Sequence, residues 1–269
     1  MSIIHKRNGH MIKNVAVKIF LTLIFLLSIS DFVFSQKSDS MKVISTFNTT
    51  ITVTNKGISS IPNLTLGKPA AIIVMTMGRK LKFEPEFRFA LEGKPWMFIF
   101  WGRYDFLNND KSLIKLRANP TVIFKTLSVT NNNVTTDIQR ATRTLTADLT
   151  ASFHLTKKFA MGGYYMYVYG IEKDIVKNTH YIALRTSLSN LRLSSEIYMG
   201  FNPAVYYLKM DKNHGFYSNA TLTFARKNFP LSVAALVNKT IHTDIPVGED
   251  FLWNLSLIYT INKKFVEQK

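Results

Sequence analysis

The stretch Leu81-Lys82-Phe83-Glu84-Pro85-Glu86-Phe87-Arg88-Phe89-Ala90-Leu91-Glu92 decides how this chain folds. Leu81, Phe83, Phe87, Phe89 and Leu91 alternate with Lys82, Glu84, Glu86, Arg88 and Glu92, and only an extended strand places those two sets on opposite faces. A helix of this sequence would scatter charge around its whole circumference and have no face to bury.

The pattern repeats in both directions. Trp96, Phe98, Phe100, Tyr104 and Phe106 oppose Met97, Ile99, Trp101, Arg103 and Asp105, with Gly93-Lys94-Pro95 as the turn before them. Ile114, Leu116, Ala118, Val122 and Phe124 oppose Lys115, Arg117, Asn119, Thr121 and Lys125. Leu145, Ala147, Leu149, Ala151 and Phe153 oppose Thr144, Thr146, Asp148, Thr150, Ser152 and His154. Further on, Ile182, Leu184 and Leu188 oppose Arg185 and Ser187, and Leu191, Leu193, Ile197 and Met199 oppose Arg192, Ser194, Glu196 and Tyr198. Phe251, Trp253, Leu255, Leu257, Tyr259 and Ile261 form a last apolar face.

These segments predict strands at 43–54, 66–77, 81–91, 95–106, 113–127, 137–155, 158–171, 178–188, 191–209, 215–225, 229–241 and 250–262, twelve in all. Tight joints at residues 78–80, 156–157, 189–190 and 226–228 alternate with looser ones at 131–134, 172–178, 211–215 and 243–249. The short Gly93-Lys94-Pro95 turn is the misfit on the looser side.

Composition agrees with strands. Aromatic residues make up 13% of 269 residues, and no stretch after residue 35 approaches the roughly 20 apolar residues of a spanning helix. The absence of cysteine excludes structural disulfides, cysteine–zinc sites and a lipid-modified N-terminal cysteine. The net charge of +17 raises nucleic acid, acidic lipid or an anionic solute as partners. The cations are spread through strands and turns, not gathered into one stripe interleaved with stacking rings, so no nucleic-acid partner is expected.

His5, Lys6, Arg7, Lys13 and Lys18 precede an apolar run from Ile19 to Ile29, and the small residue Ser35 follows. This is the layout of a secretory signal peptide over residues 1–35, with cleavage expected before Gln36 and a mature domain over 36–269.

A secreted β-sandwich would also alternate, so ring size and charge placement must decide. Trp96, Phe106, Tyr169, Phe216, Phe229, Phe251 and Tyr259 fall on the apolar face near strand ends, as girdles at two membrane interfaces would. Lys82, Arg88, Arg103, Lys115, Arg117, Lys125, Arg185 and Arg192 lie mid-strand on the opposite face. A lipid-facing charge at the bilayer midplane costs about 2–4 kcal/mol, which a wet lumen does not exact. The expected fold is therefore all-β: a transmembrane antiparallel up-and-down β-barrel of about twelve strands.

The chain resembles the outer-membrane barrels of Bacteroidota, including their many uncharacterised porin-like members. The resemblance rests on its leader and Phe34-Ser35-Gln36 junction, on Gly78-Arg79-Lys80-Leu81-Lys82-Phe83-Glu84-Pro85-Glu86-Phe87-Arg88-Phe89, and on the terminal Tyr259-Thr260-Ile261-Asn262-Lys263-Lys264-Phe265. It implies residence in the cell outer membrane, contact with outer-membrane lipid and assembly by the barrel-insertion machinery. Such barrels tend to stop on an aromatic residue, and here Val266 to Lys269 follow Phe265.

The lumen-lining candidates are Lys82, Glu84, Glu86, Arg88, Arg103, Asp105, Lys115, Arg117, Lys125, Asp148, Arg185, Arg192 and Glu196. They form either a basic wall that tunes the passage of anionic solutes or a salt-bridged network that fixes strand register. Enzymatic barrels such as outer-membrane phospholipases and lipid-A deacylases use a His–Ser pair, for which His154 with Ser152 and His180 near Ser187 are the candidates. Residues i and i+2 of a strand stand roughly 7 Å apart, too far for a nucleophile–base hydrogen bond. No phosphate loop, paired-histidine metal spacing or EF-hand loop occurs, so no cofactor is expected. The sequence thus predicts a passive channel or porin for small, anionic solutes. The alternative is a closed structural or adhesion barrel binding a partner through its external loops, and a lipid hydrolase ranks below both.

Overall fold

Stretches of period-two alternation become strands, and the polar joints between them become turns. The computed structural model describes residues 44–131, 134–246 and 248–266; the leader and the last three residues lie outside them. The strands are β1 (Ile44–Thr54), β2 (Ala70–Gly78), β3 (Leu81–Ala90), β4 (Pro95–Asn108), β5 (Ser112–Asn131), β6 (Val134–His154), β7 (Phe159–Gly170), β8 (Asn178–Arg192), β9 (Ile197–Met210), β10 (Asn213–Arg226), β11 (Leu231–Thr243) and β12 (Phe251–Val266). Each pairs antiparallel with its chain neighbours, and β1 pairs with β12 from Ile44↔Val266 to Thr54↔Ser256, closing the barrel. Up-and-down order and an even count are what the sequence predicted.

Joints at 79–80, 109–111, 155–158, 193–196 and 227–230 lie at the barrel end where β1 begins and β12 finishes. Local chemistry makes them tight. Gly78 has φ 123°, and a Cβ there would stand 2.3 Å from the Leu81 carbonyl oxygen. Asn228 takes the left-handed conformation that Asn tolerates. The opposite end carries residues 55–69, 91–94, 171–177, 211–212 and 244–250, and β5 and β6 there form a hairpin paired as far as Asn131↔Val134.

Four details depart from the sequence reading. Ser189-Asn190 is not a joint: β8 runs on to Arg192, with Asn190 at φ 53° inside an irregularity between Leu188 and Leu191. The turn is residues 193–196, closed by the Leu193 N–H on the Ile197 carbonyl at 2.9 Å. The loop expected at 211–215 is a two-residue turn at Asp211-Lys212, because Asp211 also adopts φ 53° and its carboxylate accepts from the Lys177 and Asn178 N–H groups. Third, β2 starts at Ala70, leaving a 55–69 loop longer than expected. The fourth is Trp96, assigned to the outer girdle but only 3% exposed. Arg88 pairs with Met97 and Phe89 with Pro95, so Trp96 is the extra residue of a β-bulge and turns inward.

Outside the barrel, side chains are apolar and open. Trp253, Leu255 and Leu257 of β12 are 54%, 52% and 50% exposed, and Ile182, Leu184, Val205 and Val237 continue the belt around neighbouring strands. Phe106, Tyr169, Phe216, Phe229, Phe251 and Tyr259 sit at its margins with comparable exposure. A closed apolar belt of this extent far exceeds the few hundred Å² of contiguous apolar surface that water-soluble monomers expose. Hydrocarbon is the solvent it fits. Leu184, at mid-height between Gly163 of β7 and Val205 of β9, tests this directly. Leu184→Arg should lower the free energy of folding into phosphatidylcholine vesicles by about 2–4 kcal/mol, read from urea titrations; an unchanged midpoint would show that the belt does not face lipid.

Candidate functional site

The inward faces form the bore, and its two halves differ. Strands β3 to β6 contribute nearly all its charge. Lys82 Nζ stands 2.8 Å from Asp105 Oδ2, and Arg103 reaches Asp105 at 2.6 Å and Glu84 at 2.9 Å. Arg117 lies 3.6 Å from Glu84 and 2.6 Å from Asp148, whose other donor is the Tyr164 hydroxyl at 3.0 Å. One chain of alternating charge therefore crosses four strands, β3 to β6, and ends on the Tyr164 hydroxyl of β7. It follows the register, since Lys82 pairs across with Arg103, Arg103 with Arg117, and Arg117 with Asp148. Glu86 and Arg88 form a separate pair at 2.6 Å on β3. Lys115 belongs to the same wall but makes no ion pair among the described residues. Guanidinium groups also lie over rings: Arg117 is 4.2 Å from the Trp101 centroid and Arg88 5.0 Å from that of Trp96.

The remaining sequence candidates fall elsewhere. Lys125 is exposed at the mouth formed by the longer loops, and Arg185 stands across the bore on β8, its guanidinium carbon 3.6 Å from the Tyr164 ring centroid. Arg192 lies at the short-turn rim, where its Nε donates to the Ser194 carbonyl. Glu196 does not line the lumen: continuation of β8 to Arg192 puts it in the 193–196 turn, where it holds Arg226 at 2.6 Å.

Apart from Arg185, the other half of the bore is built from neutral side chains among the described residues. Tyr164, Tyr181, Tyr206 and Tyr217, one from each of β7 to β10, form a ladder with successive centroids 5.6, 4.7 and 5.0 Å apart. The Asn238 amide donates to the Tyr206 hydroxyl at 2.9 Å. Each of these rings except Tyr181 adjoins an aromatic residue facing outward, Tyr165, Tyr207 or Phe216, and the sequence reading placed none of the four inward rings.

Neither did that reading anticipate the course of residues 55–69. This loop turns into the bore and spans it. A short 3-10 helix, Pro62–Leu64, follows Ile61, which packs against the tyrosine ladder, Leu208, Met210 and Ile245. Leu64 also reaches the opposite wall, where its carbonyl accepts from Trp96 Nε1 at 2.9 Å and its side chain packs with Trp96, Met97 and Ile99. The loop is internally tied, with Gly57 N–H on the Lys68 carbonyl at 2.7 Å and Ser59 N–H on Thr65 Oγ1 at 3.1 Å. A signal was present: Ile58, Ile61, Leu64 and Leu66 are too apolar for a loop that faces only water.

Four adjoining chambers surround this crossing. Two lie at the mouth, of about 190 and 440 Å³, one of them reaching the 171–177 loop. There the Arg143 backbone N–H and guanidinium hold the Glu172 carboxyl below the usual carboxylate range. A middle chamber of about 280 Å³ shares Ile61, Leu64, Ile123, Thr144 and Val168 with one of them. An inner chamber of about 420 Å³ shares Ser60, Tyr181 and Arg185 with the middle one.

The histidine–serine candidates do not come together. Ser152 pairs across with Gly162 and His154 with Ala160, near the short-turn end, while His180 Nδ1 lies 2.9 Å from the Tyr165 hydroxyl on the outer surface. No cluster of three or more His, Cys, Asp or Glu residues suited to a metal ion occurs among the described residues.

No protein-family profile matches the chain, and no curated protein sequence does. Among solved structures it is similar to the NanC porin, at 10% identity over 82% of this chain and 100% of that one, TM-score 0.46. It is also similar to an outer membrane channel from Pseudomonas putida F1, at 9% identity over 86% and 98%, TM-score 0.44. The translocator domain of the autotransporter NalP from Neisseria meningitidis matches at 10% identity over 94% and 98%, TM-score 0.40. These are likenesses of one barrel to another and nothing finer.

Asp148, whose side chain is fully covered, shows what the charged chain contributes. Asp148→Ala would leave the Arg117 guanidinium with only its longer contact to Glu84. It should lower folding stability by about 3–5 kcal/mol, the usual cost of removing one partner of a buried pair. Equal urea midpoints for Asp148→Ala and wild type would mean that the chain of charges does not hold these strands.

Proposed function

We propose that the protein resides in the bacterial outer membrane and acts as a narrow passive channel for small solutes, with a modest preference for anions. The observation that carries this reading is the succession of chambers from mouth to inner end, past a loop that narrows the bore without filling it. The apolar belt with its aromatic margins and the short turns gathered at the terminal end support the location. A twelve-stranded barrel is wider than the eight-stranded kind that side chains alone can plug.

The preference for anions is modest because most of the charge is internally compensated. Lys82, Arg88, Arg103 and Arg117 face Glu84, Glu86, Asp105 and Asp148, leaving Lys115 on the same wall and Arg185 across the bore without an ion pair among the described residues. The +17 of the whole chain overstates the field along the bore.

The packing of Ile61 into the tyrosine ladder favours a second reading, a barrel sealed by its own loop, with the projecting β5–β6 hairpin available to a partner. Planar-bilayer recordings separate the two. Purified protein should give discrete steps with a small reversal potential of anion-selective sign in a KCl gradient. Replacing residues 58–66 by a short Gly–Ser turn should raise the step size severalfold. Silence in wild type together with steps in the shortened variant would favour the sealed barrel. Silence in both, despite heat-modifiable gel mobility, would end the channel reading.

A further inference from the structure

Arg185 differs from Arg88, Arg103 and Arg117 of the charged wall in having no carboxylate partner among the described residues. Its registered neighbours are Gly162 on β7 and Ala204 on β9, neither of which has a side chain long enough to meet it. Gly162 is required by the backbone, since a Cβ there would lie 2.1 Å from the Ala151 carbonyl oxygen. The guanidinium carbon lies over the Tyr164 ring at 3.6 Å from its centroid, with the Tyr181 ring of the same strand 5.9 Å away. One edge of the stacked guanidinium faces the Tyr181 hydroxyl, and its remaining N–H groups are available to a planar, two-oxygen acceptor.

What surrounds this edge is unusual for the bore. The inner chamber it borders is lined by Ser60, Thr150, Ser152, Ser187, Asn202, Asn219 and Thr221 and by no carboxylate. On its other side Arg185 borders the middle chamber, which also holds Asn119. Asn119 is 4% exposed, accepts from the Thr121 hydroxyl through Oδ1, and leaves its Nδ2 without a partner. A buried donor left unpaired is unfavourable, so it marks a place for an acceptor.

From this geometry we infer that Arg185 is the seat of a binding site for a small hydroxylated oxyanion. The charged group lies on the guanidinium, Asn119 Nδ2 donates from the middle chamber, and the hydroxylated body occupies the inner chamber among serine, threonine and asparagine side chains. The chambers, at about 280 and 420 Å³, suit a molecule of a few carbon atoms and not a polymer. This rests on the channel reading for its transport role, but not for binding itself.

Two readouts keep those apart. In bilayers, gluconate added to KCl should block current with saturation, inorganic phosphate should block less well, and glucose should block least. Arg185→Gln should weaken the gluconate block by about tenfold or more, relative to the variant's own KCl conductance, as expected for loss of a bidentate charged contact. Arg185→Lys should restore part of it, and Asn119→Leu should weaken it by a smaller factor. In detergent solution, gluconate should raise the thermal unfolding temperature of wild type and not of Arg185→Gln. Phosphate outcompeting gluconate would assign the seat to phosphorylated solutes. A conducting wild type whose gluconate block is unchanged in Arg185→Gln overturns the site and leaves the channel. A silent wild type that gluconate stabilises through Arg185 keeps the site and overturns the channel.

Discussion

The pairing of β1 with β12 is the contact on which everything else depends. A sheet left open between Ile44–Thr54 and Ser256–Val266 would present two rows of unsatisfied N–H and C=O groups, and in hydrocarbon no water is available to take them. Closure removes both edges at once. It also fixes what each residue faces, because once the sheet is a cylinder the two pleat directions become lipid and lumen. Lys82 and Phe83 are neighbours in the chain yet meet opposite solvents, so a slip of one residue in any pair would carry a charge into the belt. The chain of ion pairs across β3 to β6 reads best as a consequence of that requirement: charges admitted to the bore must be partnered, and the register supplies the partners.

The same closure leaves a space too wide for side chains alone, and the loop of residues 55–69 answers it. It meets the neutral wall through Ile61 and the β4 wall through Leu64, so each contact lies where the wall is apolar. Arg117 faces a chamber instead. Salt at the mouth continues the arrangement, with Lys56 holding Glu249 of the 244–250 loop at 2.8 Å. Bulk charge and bore charge are therefore different quantities in this molecule.

Much of the barrel could be read in the sequence, and for a definite reason. Alternation at a period of two is a local signal that survives closure, so all twelve strands followed from neighbours alone, and the same alternation sets Lys82, Glu84, Glu86, Arg88, Arg103, Asp105, Lys115, Arg117 and Asp148 on the face opposite the apolar rings. What failed was the part in which local chemistry is ambiguous. Asn190 and Asp211 both sit in the left-handed region, yet one lies within a bulged strand and the other makes a two-residue turn; Asn and Asp permit the conformation without saying which. Trp96 looked like a girdle residue because parity was counted through a bulge that adds one position. The course of residues 55–69 was out of reach because a loop's destination is set by what it finds to pack against, and here that is the tyrosine ladder, assembled from four separate strands.

The contrast between Arg117 and Arg185 shows how register turns composition into chemistry. Arg117 stands directly opposite Asp148, and burial beside a carboxylate makes it part of the scaffold. Arg185 stands between Gly162 and Ala204, and no pairing partner of β8 can neutralise it at that height. A fixed positive charge in a narrow bore with low-dielectric walls raises the local concentration of anions and pulls them toward one level. On the proposed channel reading, a wall that compensates its own charge conducts without choosing, and an arginine left unopposed by two small residues gives an anion a level at which to rest. Selectivity in such a barrel therefore follows less from how many cations the chain carries than from which of them the strand pairing leaves alone.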